Sequence, residues 1–279
     1  NICSFKKMER HFLKILLIPI LVVSCQQIEV YQANPSEFNN VDKGIEATVA
    51  EISPVPPYQD IWEYIKKNNS SQNNNILNDQ VLSYMNMHLK DIDKFNEYLN
   101  DSYYFLFFVI QELEKNNLPL ELAILPYIES NYDPFSISSS GAVGMWQFMP
   151  RTGRLYQLDK SWWSEDRHDP FKSTEAAVKY LKYLYQRFDQ NIYHTLAAYN
   201  AGPSLLDRRI NQNNRRGIDT DFWSLNVPVQ TKNYVPKYIA LRELIFNSDN
   251  YGIQLPQIPY EPVVKKISIP GQVEVLTLS

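Results

Sequence analysis

The sequence predicts a mainly α-helical fold, and three observations carry that expectation. Between about residues 60 and 250, apolar side chains recur at three- and four-residue spacing, the period of helices with one buried face. The strand-helix-strand alternation of a parallel sheet is missing, as is any internal repeat. Both ends of the chain change to polar or proline-rich segments that sustain no helical period. With 279 residues, 44% of them hydrophobic, the chain has apolar material for one sizeable core, or one domain with a long arm.

At the N-terminus, Met8 begins Met-Glu-Arg-His-Phe-Leu-Lys. An apolar run from Ile15 to Val23 follows, broken only by Pro19, and then Ser24-Cys25. A basic start before a short apolar run is the pattern of a secretion signal, and about ten residues are too few to span a bilayer of about 30 Å. The segment Leu21-Val22-Val23-Ser24-Cys25 resembles a bacterial lipobox, in which a small residue precedes the cysteine that is lipidated. That resemblance implies a lipoprotein signal peptide over residues 1–24, with 1–7 as an upstream extension, and a lipid anchor at Cys25. Gln26, where an Asp would favour the inner membrane, implies the outer membrane, facing the periplasm. Several acyl chains, at about 0.8 kcal/mol per buried CH₂, hold such an anchor on a membrane stably. Residues 25–58 carry Pro35, Pro54, Pro56 and Pro57 and read as a tether.

Helices then dominate. Asp91 is placed to cap a helix carrying Ile92, Phe95 and Leu99 on one face. Tyr104 to Leu113 is apolar almost all round, as a buried core helix would be. Ala177, Leu181, Leu184 and Phe188 mark an amphipathic helix starting near Ser173, and Tyr234 to Phe246 reads as the last long helix. An Asn/Ser-rich loop runs from Asn68 to Asn75. From Leu255, three prolines and the alternation of Val263, Ile267 and Ile269 predict an extended tail with a strand or two.

Composition excludes more than it selects. The net charge of −4 argues against nucleic acid as a partner, which needs a clustered positive field. Arg208-Arg209 and Arg215-Arg216 are local exceptions and read as a solvated loop. The only cysteines, Cys3 and Cys25, leave the body no disulfide framework or Cys-based zinc site, and the four histidines form no metal-binding pattern. No metal or other cofactor is expected. The 19 tyrosines suit a carbohydrate groove and ordinary helix packing equally.

The chemistry lies between residues 118 and 202. In Leu118 to Pro134, Pro119 suits a first helical turn, Leu122, Leu125 and Ile128 mark a buried side, and Asn131-Tyr132-Asp133-Pro134 is a stop. Glu129 therefore falls in the last turn of an apolar helix. Apolar surroundings and the negative helix end both push a carboxyl above its usual value of about 4.3, toward the range of a general acid. Position alone does not separate this from a glutamate facing water. Downstream, Gly141-Ala142-Val143-Gly144-Met145-Trp146-Gln147 sets two glycines before an aromatic and an amide, a sugar-binding turn or a plain loop. Ala197-Ala198-Tyr199-Asn200-Ala201-Gly202 ends a helix with Gly at its natural stop.

In that order, over about 75 residues, Glu-Ser, Gly-x-x-Gly-x-x-Gln and Ala-Tyr-Asn-Ala-Gly resemble the lytic transglycosylases of the goose-type lysozyme fold (SLT domain), nearest the membrane-bound D group. The likeness runs from about Asp60 to Pro262, about three quarters of the chain, through Gln147 to Gly153 and Asp221-Phe222-Trp223. It implies a helical extension at 59–116, a lysozyme-like transglycosylase domain at 117–250 and a tail at 251–279. That tail either precedes the group's usual LysM-type repeats or belongs to a version relying on its anchor.

The resemblance also implies roles. Glu129 would protonate the glycosidic oxygen of peptidoglycan, and Ser130 would support the cleft. Gly144, Met145 and Gln147 would line the sugar site beside the scissile bond, Tyr199 would orient Glu129, and Asn200 would bind substrate or steady that tyrosine. Tyr234, in Thr231-Lys232-Asn233-Tyr234-Val235, would line the cleft. Gln230 departs from the family's usual Glu, removing a second charge there. Ordinary glycosidases use two carboxyl groups. Asp133 is the candidate partner, though a turn role explains it as well. The rivals are a muramidase using water, which a dedicated second carboxylate would favour, and a non-catalytic peptidoglycan-binding lipoprotein, which intact Glu129 and Tyr199 disfavour.

Overall fold

The computed structural model describes residues 28–33, 58–70, 76–162 and 164–269. The expected signal segment, Cys25 and most of the tether lie outside the described residues. Within the tether, Ile28–Ala33 is a strand, β1, which pairs with β2 (Val264–Ile269) in a two-stranded sheet. The tether reading is corrected over those six residues. Ile28-Glu29-Val30-Tyr31 alternates apolar and polar, a strand signal too short to stand out beside the prolines that follow. The expected extended tail contains β2.

The helices belong to one compact unit spanning residues 32–265. In order they are α1 (Ile61–Asn68), α2 (Asp79–Leu89), α3 (Ile92–Asn100), α4 (Leu106–Lys115) and α5 (Leu125–Glu129). There follow α6 (Pro150–Leu155), α7 (Pro170–Arg187), α8 (Ile192–Ala201), α9 (Pro203–Arg216) and α10 (Val229–Phe246). Short polar side chains start half of them. The carboxylates of Asp60, Asp91 and Asp169 and the amide oxygens of Asn78 and Asn191 accept backbone N–H groups of the first turn. Asp91 caps α3 as the sequence predicts, and Phe95 and Leu99 are buried on its inner face.

α7 starts at Pro170, ahead of the expected Ser173, because Asp169 accepts from the N–H groups of Phe171 and Lys172 and Pro170 fits the first turn. The four arginines read as a loop ride on α9 instead, where Arg208, Arg215 and Arg216 are exposed.

α10 is the central strut. It packs against α2 and α8 and against the segment that carries Glu129. Pro236 sits inside it and cannot donate a backbone hydrogen bond to the carbonyl of Lys232. Gln80 of α2 reaches that carbonyl with Nε2 at 3.4 Å and Asn233 Oδ1 at 2.6 Å. A side chain from a neighbour thus serves the backbone group that proline leaves open. The expected boundary at 116/117 falls within this unit, where α4 packs on residues 120–124 and on α7.

Candidate active site

Glu129 is delivered by a segment that changes helix type. Pro119 precedes a 3-10 helix, Leu120–Ile124, which runs directly into α5 and ends at Glu129. Leu122 and Leu125 are fully buried and Ile128 half-buried, so the predicted inner face is present. The stop is built by Asn131 and Tyr132, both left-handed with φ of 58° and 59°. Such backbone is costly for Tyr. Its ring is buried edge-on to Tyr127 at 4.6 Å, and its hydroxyl donates to the Ala123 carbonyl at 2.6 Å, which holds the turn in place.

The Glu129 side chain is half-buried, and Tyr234 of α10 donates its hydroxyl to Oε1 at 2.6 Å. Burial pushes the carboxyl up to about 7, against the pull of the Tyr234 hydrogen bond, which favours the ionised form. The expected helix-dipole contribution is minor, since α5 is only five residues long. Burial, reinforced by the neighbouring Glu129, also pushes the Tyr234 and Tyr199 hydroxyls well above the usual phenol value. At neutral pH the site therefore holds one carboxyl near its midpoint between neutral phenols.

The glycine turn packs against this helix end. Gly141 and Gly144 have φ of 84° and 81°, and a Cβ on Gly144 would lie 1.9 Å from the Arg167 carbonyl oxygen. Gly144 is buried, so close backbone approach, not sugar contact, requires glycine there. Its carbonyl accepts from Gln147 Nε2 at 2.9 Å and so orients that amide. Gln147 is half-buried, with φ of 48°, a strained backbone at a position expected to meet substrate. Ser130 donates its hydroxyl to the Met145 carbonyl at 2.8 Å, tying the Glu129 helix to the turn.

Two expectations need correction. The Met145 side chain is wholly buried, so it belongs to the floor of the turn and offers the sugar no apolar face. Tyr199 does not hold Glu129 by a hydrogen bond: its hydroxyl donates to the Trp146 carbonyl at 2.9 Å, while Tyr234 makes the direct contact. Tyr199 still lies close enough for Glu129 to raise it. Asn200 accepts from the Thr231 hydroxyl at 2.8 Å, joining the end of α8 to the start of α10. Gly202, with φ of 86°, ends α8 as expected.

Asp133 is exposed and accepts the N–H of Phe135 at 2.8 Å, the turn role. Gln230 is exposed at the start of α10. Among the described residues no second carboxylate contacts Glu129, and no cluster of three or more His, Cys, Asp or Glu residues assembles.

With that geometry in place, the family model of the transglycosylase SLT domain matches residues 107–222, which contain Glu129, the glycine turn and Tyr199. Residues 107–222 carry a transglycosylase SLT domain. It is 30% identical over 267 residues to membrane-bound lytic murein transglycosylase D of Escherichia coli, covering 93% of this chain and 59% of that relative. To the soluble lytic murein transglycosylase of Escherichia coli it is 30% identical over 117 residues, covering 40% of this chain and 18% of the relative. The crystal structure of the 70 kDa soluble lytic transglycosylase of Escherichia coli overlays with a TM-score of 0.42 at 21% identity, covering 61% of this chain and 30% of that one. The chain thus spans less than two thirds of the length of the relatives it matches. Its mainly helical body, with little sheet, is consistent with the goose-type lysozyme-like fold of SLT domains.

The roles of three supports of the SLT site escaped sequence reasoning. Arg167 is buried and donates from Nη1 to the carbonyls of Gly141 at 3.1 Å and Phe148 at 2.8 Å, pinning both ends of the glycine turn. Trp146, fully buried, donates its indole N–H to Thr174 at 2.9 Å and offers its carbonyl to Tyr199. Thr231 holds Asn200. Trp146 stood in the motif read as sugar-binding but is wholly in the core, Thr231 stood in the Tyr234 motif with no role of its own, and Arg167 showed only as a lone cation inside Glu165-Asp166-Arg167-His168-Asp169.

Proposed function

We propose that the protein cleaves the β-1,4 bond between N-acetylmuramic acid and N-acetylglucosamine in peptidoglycan by lytic transglycosylation, with Glu129 as the single acid and base. The observation that carries this reading is a lone carboxyl raised to about 7 beside a neutral tyrosine, inside an SLT domain. Glu129 donates its proton to the bridging oxygen as the bond to the anomeric carbon breaks. The substrate's own N-acetyl group stabilises that electron-poor carbon. Ionised Glu129 then takes the proton of the muramic acid 6-hydroxyl, whose oxygen closes onto the anomeric carbon, and a 1,6-anhydro end results. A nucleophile tethered to the reacting carbon has the large effective concentration of an intramolecular reaction, so no second carboxylate is needed to activate water.

Tyr234 steadies the ionised Glu129 between the two proton transfers. Gln147, held by the Gly144 carbonyl, presents an amide edge to the sugar, with Ser130 and Tyr199 fixing the wall behind it. Asn200, tied to Thr231, supports the cleft rather than Tyr199 directly. The same reading places the protein in the cell envelope, lipid-anchored at Cys25 to the outer membrane and facing the periplasm. Among the described residues no helix is long and apolar enough to cross a membrane. The test is to incubate the full chain with purified peptidoglycan and weigh the released sugar ends. Anhydro ends, lighter by one water, support the proposal. Reducing ends mean a muramidase, and no release means a binding protein.

A further inference from the structure

We infer that the buried ion pair between Glu121 and Arg242 is a positioning device for the active site, setting the distance at which Tyr234 meets Glu129. The inference rests on the proposed role of Glu129 and extends it to two residues outside the cleft.

Two elements lie side by side, residues 120–129 and α10, and they touch through two polar contacts. At one end Arg242 Nε donates to Glu121 Oε2, and at the other the Tyr234 hydroxyl donates to Glu129 Oε1 at 2.6 Å. Glu121 and Glu129 are eight residues apart on the first element, and Tyr234 and Arg242 eight apart on the second, in the opposite chain direction. The rises agree with that pairing. Eight residues of α-helix advance about 12 Å, and eight residues beginning in a 3-10 turn advance about 13–14 Å, so one antiparallel register satisfies both contacts. A slide of α10 by one residue, about 1.5 Å, would break both hydrogen bonds together.

Why Glu121 and Arg242 hold that register follows from burial. Glu121 is fully buried and Arg242 nearly so, and a charge removed from water is tolerated only with its partner in place. Apolar neighbours slide past one another at little cost, whereas this pair fixes one position. Asn69 reinforces it, donating from Nδ2 to Glu121 Oε2 and accepting the Glu121 N–H with Oδ1, both at 3.2 Å. Pro236 lies between Tyr234 and Arg242 and interrupts the hydrogen bonding of α10. The two halves of the helix therefore need separate anchors, Arg242 on one side and Gln80 with the Glu129 contact on the other. The ionisable groups around Glu121 are Arg242, Tyr185, Tyr193 and Tyr238, and those facing Glu129 are Tyr234 and Tyr199.

The test reads the protonation of Glu129, which a merely stabilising role would leave alone. The carbon-13 shift of the Glu129 carboxyl is titrated in the full chain, alongside rates on purified peptidoglycan, for wild type, Glu121→Gln, Tyr234→Phe and the two combined. Tyr234→Phe removes the group that favours the ionised form and moves the titration upward by about one unit. Glu121→Gln is expected to move it upward by at least about half as much and to lower kcat about tenfold, with KM within about twofold. Combined, the two substitutions move it no further than Tyr234→Phe alone, and Arg242→Lys, which keeps the charge, leaves it near wild type. Should Glu121→Gln not fold, Glu121→Met with Arg242→Met removes the pair without stranding a charge, and the same shift is expected. A folded variant whose Glu129 titrates as in wild type, or a shift that adds in full to that of Tyr234→Phe, overturns the inference. Wild type that releases no sugar ends overturns the proposed activity instead, while the titration still decides the positioning role.

Discussion

Two carboxyl groups, eight residues apart on one short segment, have opposite company. Glu121 is sealed from solvent and faces the Arg242 guanidinium, while Glu129, half-buried at the end of the segment, faces only neutral hydroxyls. Burial penalises a charge in both places. Glu121 has the Arg242 guanidinium as its partner, whereas Glu129 has a phenol hydrogen bond that offsets its own burial only in part, and it is left near 7. Chemistry and anchoring are thus separated by the partner each carboxyl is given, not by the segment that carries them.

Substitutions that change those partners break the comparison, and Glu129→Gln should have the largest effect. One group serves first as acid and then as base, so its loss should lower the cleavage rate by about 10⁴-fold, the top of the range for acid–base catalysis, with binding to insoluble peptidoglycan retained in a pull-down. Next, Arg242→Met strands the Glu121 carboxylate and should cost about 3–5 kcal/mol in urea unfolding, most of it recovered when Glu121→Met is added. Gly144→Ala drives a methyl into the Arg167 carbonyl and should cost about 2–4 kcal/mol in the same measurement, with peptidoglycan cleavage falling alongside.

Glu129→Gln has a second, smaller consequence. The folded carboxyl titrates near 7 against an ordinary 4.5, so below about pH 4.5 both folded and unfolded chains hold the proton and nothing is lost. As pH rises from about 4.5 to 7 the unfolded chain ionises first, and the folded state gives up stability. Removing the carboxyl should therefore stabilise the protein by about 2 kcal/mol at pH 8, after allowance for its partial exposure, and by almost nothing at pH 4. Thermal unfolding at the two pH values checks the sign. The smallest effect is expected of Gln230→Glu. An acid in the exposed first turn of α10 should add about 0.5 kcal/mol and change turnover less than about threefold.

The helices were legible because their signals are local. Asp91 before Phe95 and Leu99, the spacing of Ala177 to Phe188 and Gly202 after Ala201 each act within a few residues. The position of Glu129 at a helix end was legible for the same reason. Its hydrogen-bond partner was not. Tyr199 and Tyr234 both stand in suitable motifs, and which of them reaches Glu129 depends on the register of α10, fixed by contacts more than a hundred residues away in the chain. Met145 misled because a thioether is equally at home in a sugar site and in a core. Strand β1 was hidden by its brevity, since a partner over 200 residues distant completes it.

The measurement that tests the account most directly is the titration of the Glu129 carboxyl, taken as the difference between carbon-13 spectra of wild type and Glu129→Gln in the full chain. A midpoint near 7 is predicted, coinciding with the alkaline fall of the cleavage rate. A midpoint near 4.5, with Glu129 already ionised wherever the enzyme works, would contradict it.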